Sequence, residues 1–242
     1  MPTIATLEHP SAALGRRVTC TALLPSEARG PWPLLWLLHG QSDDHRAWLE
    51  NTTLAPRLAR LEAEGRPLAV VLPDGAISYW ADVDPLLRVE RYLLDDLDAL
   101  VRRTFPIAAG RAAIGGLSMG GYGALRLALR HPGRFCSASA HSTRAPTRAE
   151  LATLPWSQRV DADELDLEVI AASADRSALG SIALDCGLDD RLLGDSRRAH
   201  ALLDRRAIAH AYAEHPGAHD WAYWEARLPG ALAFHLDALH AG

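Results

Sequence analysis

The pattern G-x-S-x-G, at Gly116, Ser118 and Gly120, lies between an apolar run and a helical pattern. The apolar run Ala112–Leu117 is predicted to be a short buried strand. Met119–Arg130 is predicted to be a helix, because the leucines of this segment recur at helical spacing. In this context the serine must occupy a sharp, strained strand-to-helix turn, with glycine on either side because a Cβ atom there would collide with its neighbours. A glycine-rich turn before an ordinary helix is the alternative, and it explains the preceding strand less well. Ser118 is therefore a candidate nucleophile.

Apolar runs and helical patterns alternate along the rest of the chain, which is typical of a largely parallel sheet with helices on both faces. The other predicted strands are Arg17–Leu24, Leu34–Leu38, Leu68–Leu72, Phe135–His141, Ser181–Cys186 and Ala207–Tyr212. The other predicted helices are Trp48–Glu64, Val89–Phe105 and Trp221–His240. Residues 142–178 lack strand periodicity and are predicted to form a small cap or lid segment. We predict one α/β domain over residues 1–242.

Composition narrows the classes of function. The formal net charge of −5 gives no strong attraction to nucleic acid or to an anionic membrane. All 25 basic side chains are arginines, which excludes a Schiff-base lysine and a P-loop lysine. No segment resembles a signal peptide or reaches the roughly 18 apolar residues of a membrane span. We expect a cytoplasmic protein that takes a small molecule and needs no metal or other cofactor. The sequence leaves open whether it forms a homo-oligomer.

The strand Leu34–Leu38 runs into a loop that starts with His39 and Gly40. Glycine lets this loop turn close to a ligand, and the Gln41 N–H is a candidate oxyanion donor. The Met119 N–H, at the start of the helix after Ser118, is the second candidate donor. We expect His39 to hold the loop by local hydrogen bonds rather than to act as a base.

Chain order constrains the acid and the base. After such an elbow an Asp or Glu follows a late strand, and a His follows the last strand. Asp189 and Asp190 both follow Ser181–Cys186, and the residues themselves leave the two open. His219 lies where a Gly-Ala loop meets a helix start, whereas His215 precedes a restricting proline, so His219 is the favoured base.

Four segments resemble the putative-esterase branch of the α/β hydrolases, which includes esterase D (S-formylglutathione hydrolase), tributyrin esterases, feruloyl esterases and the antigen 85 mycolyltransferases. They are Trp36–Gly40, Gly116–Arg130 with the His-Pro that follows it, Leu184–Leu192 and Gly217–Trp224. The likeness covers nearly the whole chain. It implies an α/β-hydrolase fold and a serine esterase that forms an acyl-enzyme. It also implies that the catalytic acid is Asp190 rather than Asp189, which completes a triad with Ser118 and His219.

The substrate pocket is predicted from the same loops and from aromatic residues. The segment 73–75 with Tyr79 and Trp80 resembles the family loop that lines the pocket, and His39 and Gly40 border it. The aromatic residues that we expect to form an apolar wall are Trp48, Tyr79, Trp80, Trp156 and Trp221.

The preferred function is hydrolysis of short-chain acyl esters. A thioesterase of the S-formylglutathione hydrolase type needs the same triad, so only the pocket distinguishes it. Acyl transfer to a sugar or alcohol would require a pocket that excludes water or binds the acceptor. A non-catalytic binding protein on this scaffold is disfavoured because Ser118, Asp190 and His219 are all present.

Overall fold

An eight-stranded sheet runs through the computed structural model, which describes residues 1–85, 87–154 and 157–241. In chain order the strands are β1 (Thr3–Ser11), β2 (Arg16–Leu24), β3 (Leu34–Leu38), β4 (Ala69–Pro73), β5 (Asp82–Asp84), β6 (Leu87–Arg88), β7 (Ala112–Leu117), β8 (Phe135–His141), β9 (Ser181–Gly187) and β10 (Ala211–His215). Strands β5 and β6 form a separate antiparallel pair. The other strands lie in the order β1-β2-β4-β3-β7-β8-β9-β10. From β4 to β10 in this order, each strand pairs in parallel with its neighbour. Strand β2 is antiparallel to both of its neighbours, β1 and β4.

Helices pack on both faces of this sheet. They are α1 (Ala47–Asn51), α2 (Leu54–Ala63), α3 (Val89–Arg91), α4 (Asp98–Thr104), α5 (Met119–Arg130), α6 (Arg148–Leu151), α7 (Leu167–Ser173), α8 (Leu193–Arg205) and α9 (Trp221–His240). In β3, Trp36 belongs to the apolar layer shared with α5 and α8, whereas Leu35 and Leu37 belong to the layer shared with α2 and α9. Successive side chains of a strand point to opposite faces, so these two layers cover the two faces. The predicted α/β-hydrolase fold, with its mostly parallel sheet, is confirmed.

Strand β1 was not predicted. Its residues are mostly exposed or half-buried, since it is an edge strand that, within the described part of the chain, pairs only with β2. An edge strand buries little apolar surface and therefore leaves a weak pattern in the sequence.

The last strand begins four residues later than predicted because an unpredicted helix, α8, precedes it. Helix α8 ends in a Schellman motif, in which the Ile208 N–H donates to the Leu203 carbonyl and the Ala207 N–H to the Asp204 carbonyl. Ala207 has a φ of 51° there. Residues 207–208 thus belong to the helix end rather than to the predicted strand Ala207–Tyr212.

Two predicted helices are interrupted. The segment predicted as Trp48–Glu64 forms α1 and α2, separated at Thr52, whose backbone is extended and whose hydroxyl donates to the Trp48 carbonyl. The segment predicted as Val89–Phe105 contains a π-helical turn over Tyr92–Leu97 between α3 and α4.

The described part of residues 142–178 contains α6, α7 and short 3₁₀ turns. Two side chains of helix α5 donate hydrogen bonds to this segment. The Tyr122 hydroxyl donates to the Leu165 carbonyl, and the Arg126 Nε donates to the Glu164 carbonyl at 2.8 Å. Leu167 and Ile170 of α7 are buried in the core. No helix within the described residues is long and apolar enough to cross a membrane.

Candidate active site

Ser118 occupies the strained turn between β7 and α5, with φ 55° and ψ −115°. Its N–H donates to the His141 carbonyl of the neighbouring strand at 2.8 Å, and its carbonyl accepts the Tyr122 N–H at 3.1 Å. A Cβ atom on Gly116 would lie 2.4 Å from the Gly120 carbonyl oxygen, so the turn closes only with glycine. These contacts hold the positive φ, which a serine rarely adopts without such support.

His219 bridges Ser118 and Asp190. Its Nε2 lies 3.1 Å from the Ser118 Oγ, and its Nδ1 lies 3.0 Å from both carboxylate oxygens of Asp190. The Asp190 side chain is fully buried, and that of His219 is 10% exposed. Of the alternatives, Asp189 is exposed, and His215 lies at the end of β10, where its carbonyl accepts the Leu188 N–H.

The environment of Asp190 favours its charged form. Burial by itself would raise the pKa of this carboxyl group, but hydrogen bonds from His219, Ser142 and the Leu192 N–H outweigh that effect and lower the pKa. A carboxylate that is ionised and hydrogen-bonded on one side of the imidazole fixes the ring with Nε2 directed at Ser118.

Three tryptophans support the histidine. The Trp224 ring packs edge-on against His219 with 5.0 Å between ring centroids, and its Nε1 donates to the Ser142 Oγ at 3.0 Å. Trp221 packs edge-on against both Trp224 and Trp48. The Trp48 Nε1 in turn donates to the Leu38 carbonyl at the end of β3. The histidine loop and the β3 loop are thus joined through aromatic side chains that pack edge-on.

The loop after β3 passes beside Ser118. A Cβ atom on Gly40 would lie 2.7 Å from the Leu117 Cδ1 and 3.5 Å from the Ser118 Cβ. His39 is buried, its Nδ1 donates to the Gly40 carbonyl at 2.7 Å, and its Nε2 accepts the Gly75 N–H at 3.0 Å. His39 thus makes local hydrogen bonds that hold the loop. Gln41 and Met119 both line the space next to Ser118.

Ser118 and His219 open into a cavity of about 600 Å³, a volume that suits a small ligand. Its lining residues are Gly40, Gln41, Ser42, Asp43, Leu117, Ser118, Met119, Arg144, Arg191, Leu192, His219, Asp220, Trp221 and Trp224. Of the residues predicted for the pocket wall, Gly40 and Trp221 therefore line the cavity.

The other predicted wall residues within the described chain do not line it. His39 and Trp48 are buried in the contacts given above. Trp80 fills the space over Gly75 and Gly123, where a Cβ atom would lie within 2.8 Å of the indole, and Tyr79 packs against Tyr122. In this structure these four side chains pack in the core and do not border the cavity. The fifth predicted aromatic residue, Trp156, lies outside the described residues.

Several lining residues were missed. Arg144 follows β8 and forms ion pairs with Asp195 and Glu150, which neutralise it. Arg191 follows Asp190 directly and makes no hydrogen bond or ion pair with any residue that the structure describes. The signal for both was available, since the loops after parallel strands meet at one edge of the sheet.

A second serine–histidine cluster lies within the protein. The His235 ring accepts or donates hydrogen bonds at 2.9 Å to the Ser137 Oγ and at 2.8 Å to the Ser139 Oγ. Burial, with a smaller contribution from His141, lowers the pKa of His235 to about 3, so the ring is neutral. All three side chains are buried and none lines the cavity, which indicates that the cluster joins α9 to the sheet.

A sequence profile of the family described as Putative esterase matches residues 11–235. The chain belongs to this putative esterase family. The esterase is 27% identical over 220 residues to an acetyl esterase of Caldicellulosiruptor saccharolyticus, an alignment that covers 82% of this chain and 81% of the relative. It is 30% identical over 241 residues to an S-formylglutathione hydrolase of Paracoccus denitrificans, covering 85% and 79% of the two chains.

A solved structure supports the fold. The fluorophosphonate-binding serine hydrolase F of Staphylococcus aureus, in a substrate-bound form, matches with a TM-score of 0.85 and 24% identity over 97% of this chain and 98% of that one. The predicted family and the predicted class, a carboxylic ester hydrolase, are confirmed by the family match and the two relatives.

Proposed function

We propose that this esterase hydrolyses esters of short acyl groups through an acyl-enzyme on Ser118. The observation that carries the proposal is the unbroken line of hydrogen bonds from the Ser118 Oγ through His219 to Asp190, at the wall of a cavity. This is the arrangement that a serine needs in order to act as a nucleophile.

In the proposed reaction the neutral His219 Nε2 takes the proton from the Ser118 Oγ as the oxygen attacks the ester carbonyl. The buried Asp190 carboxylate stabilises the imidazolium that forms. The Gln41 and Met119 N–H groups would stabilise the negative carbonyl oxygen, aided by the N-terminus of α5. His219 then gives its proton to the departing alcohol, and water, deprotonated by the same ring, releases the acid and restores the Ser118 hydroxyl.

The character of the cavity supports a short acyl group. Its apolar lining comes from five side chains, Leu117, Met119, Leu192, Trp221 and Trp224, and charged residues border it elsewhere. A long alkyl chain would have to leave this small apolar surface and contact Asp43, Arg144 or Arg191. A buried methylene group contributes binding energy only where it meets apolar surface, and an alkyl chain that covers charged side chains costs their desolvation. Extending the acyl chain should therefore weaken binding.

The test is turnover of p-nitrophenyl acetate, butyrate and octanoate by the wild type and by Ser118→Ala. We expect kcat/KM to fall from butyrate to octanoate, and Ser118→Ala to lose about 10⁶-fold in kcat while keeping its thermal unfolding midpoint. Ser139→Ala, which removes a hydroxyl from the second serine–histidine cluster, is the matched control and should retain turnover per folded molecule. Turnover that survives in Ser118→Ala would refute the proposal.

A thioesterase of the S-formylglutathione hydrolase type is the second candidate function. It is favoured by the 30% identical relative of that name and by Arg191 on the cavity. The Arg191 guanidinium group has no partner among the described residues, so it could bind a carboxylate of a glutathione leaving group. Arg191→Gln should then raise KM for S-formylglutathione several-fold but leave KM for p-nitrophenyl acetate unchanged. Arg29→Gln, at an exposed arginine outside the cavity, is the matched control. No activity on the thioester would eliminate this candidate.

A further inference from the structure

Three side chains with metal-ligating atoms meet where the chain leaves α8 and enters β10. His200 and Asp204 lie one turn apart on α8, and His210 directly precedes β10. The ligand atoms of the three all lie within 4.8 Å of one another. None of them lines the Ser118 cavity, so this His200–Asp204–His210 cluster is separate from the proposed reaction.

The hydrogen bonds of His210 determine which of its nitrogens is free to bind. Its Nδ1 lies 2.8 Å from the Ile208 carbonyl oxygen, and a carbonyl can only accept, so Nδ1 carries a proton. Its Nε2 then has a lone pair in the neutral ring, and this lone pair lies 2.8 Å from the His200 Nδ1. A single proton on the His200 Nδ1 therefore joins the two imidazoles, and a metal ion can take its place once the neutral His200 ring carries that proton on Nε2 instead.

The rings are held in place for such an exchange. The His210 side chain is 3% exposed, and the carbonyl on its far nitrogen is the kind of partner that orients metal-bound histidines. The His200 ring stacks on Tyr212 with 4.3 Å between ring centroids. Asp204 is 62% exposed and one of its oxygens lies 3.5 Å from the His200 Nε2, so its carboxylate has room to turn from that contact toward a bound ion.

The distances fit a tetrahedral ion after small movements. With Zn–N bonds of about 2.0–2.1 Å, two ligand nitrogens lie about 3.3 Å apart. The two imidazole nitrogens are now 2.8 Å apart, and an Asp204 oxygen lies 3.9 Å from the His210 Nε2. Shifts of about half an ångström by the half-buried His200 and the exposed Asp204 side chains would bring all three to the spacing that zinc requires.

We propose that His200, Asp204 and His210 form a site for a divalent transition metal, best suited to zinc, with a fourth position open to water. Two imidazoles and one carboxylate favour zinc over magnesium or calcium, which prefer oxygen ligands. The ion would link the end of α8 to the start of β10, an edge strand for which β9 is the one partner among the described residues. Bound zinc should therefore stabilise the folded chain.

The test is calorimetric titration and thermal unfolding of chelator-treated full-length protein with zinc chloride, at a pH where histidine is neutral. We expect about one zinc per chain at this site. At a zinc concentration a hundred times Kd, we expect a rise in Tm of about 5–10 °C, with no rise in magnesium chloride. Asp204→Asn should weaken binding at least tenfold without loss of folding, because its side chain is exposed, and His210→Gln should abolish it.

Two matched variants make the result specific. His240→Gln removes an exposed histidine of α9 outside the cluster and should leave the zinc effect unchanged. His219→Gln removes the imidazole beside Ser118, which could itself capture zinc, and should also leave the effect on Tm in place. If wild-type protein shows no zinc-dependent rise in Tm, the proposed site is wrong. It is also wrong if the rise is undiminished in both Asp204→Asn and His200→Gln, or if it disappears in His219→Gln.

Discussion

Glu90 joins the helix that follows Ser118 to the rest of the protein, and its replacement by glutamine gives a sharp test of what holds that helix. Its carboxylate accepts hydrogen bonds from Arg126 within α5, from Arg130 at the end of α5 and from His131 just beyond it. The Glu90 side chain is 11% exposed and that of Arg126 only 1%. Glu90→Gln keeps the shape of the side chain but leaves a buried guanidinium group without its counter-charge.

The magnitude follows from the pKa of Glu90. Burial would raise this pKa, but the hydrogen bond from His131 and the charge and hydrogen bond of Arg126 outweigh it and lower the pKa from 4.5 to about 2. That difference corresponds to about 3 kcal/mol of stability at neutral pH. Removal of one partner from a buried ion pair costs a similar amount, about 3–5 kcal/mol. We expect Glu90→Gln to lower the free energy of unfolding by about 3 kcal/mol.

The pH dependence has a definite sign. Because the pKa of Glu90 is lower in the folded state, its contribution is complete well above pH 4.5 and is lost as the pH falls toward 2. The difference in unfolding free energy between wild type and Glu90→Gln should therefore be about 1 kcal/mol smaller at pH 3.5 than at pH 7. Urea denaturation followed by tryptophan fluorescence at both pH values measures it.

Glu8→Gln is the matched control for this prediction. Glu8 also pairs with an arginine, Arg17, but both side chains are 60% exposed. Its replacement should cost less than about 1 kcal/mol, since water screens the pair. Equal losses in the two variants, or a Glu90→Gln loss that grows in acid, would refute the view that burial gives the Glu90 cluster its strength.

Two further predictions concern the proposed triad and the β3 loop. Asp190→Asn should lower kcat on p-nitrophenyl acetate by about 10⁴-fold, because an amide cannot hold the imidazole in the tautomer required of a base. Asp189→Asn, at the exposed neighbouring residue, should keep the wild-type kcat. Similar losses in both variants would contradict the assignment of the acid. Gly40→Ala places a methyl group 2.7 Å from the Leu117 side chain and must displace the loop beside the proposed nucleophile. The kcat for the same substrate should therefore fall by about 10²-fold. An unchanged kcat would argue against an oxyanion role for this loop.

The local elements around the proposed nucleophile could be predicted because their causes are local. Strand β7 and helix α5 have the bounds that their apolar patterns predict. The glycines at 116 and 120 are required by a collision within a few residues of chain. Chain order and the family motifs also name Asp190 and His219, which the structure brings to hydrogen-bond distance of one another.

The edges of the sheet were harder to predict, for a different physical reason. Strand β1 shows little apolar alternation because it lies at the edge of the sheet, where no other described strand covers its outer side. Helix α8 is rich in charged residues, and ion pairs such as Arg197 with Glu214 join it to β10. Neither element has a strong periodic pattern of buried apolar residues, which is the feature that predicts secondary structure best from a sequence.

The amino-acid sequence by itself thus determined the type of sheet, the turn at Ser118 and the residues that could complete a triad, since each depends on a short pattern or on chain order. Only the tertiary structure decided which side chains border the cavity. Trp48, Trp80 and Trp221 are the same residue type, yet Trp48 and Trp80 are buried in the core and Trp221 lines the cavity. Trp224 and Arg191, which were not predicted as pocket residues, line the cavity as well. Exposure to a cavity depends on how distant loops pack at one end of the sheet, and no local pattern around any of these residues records that.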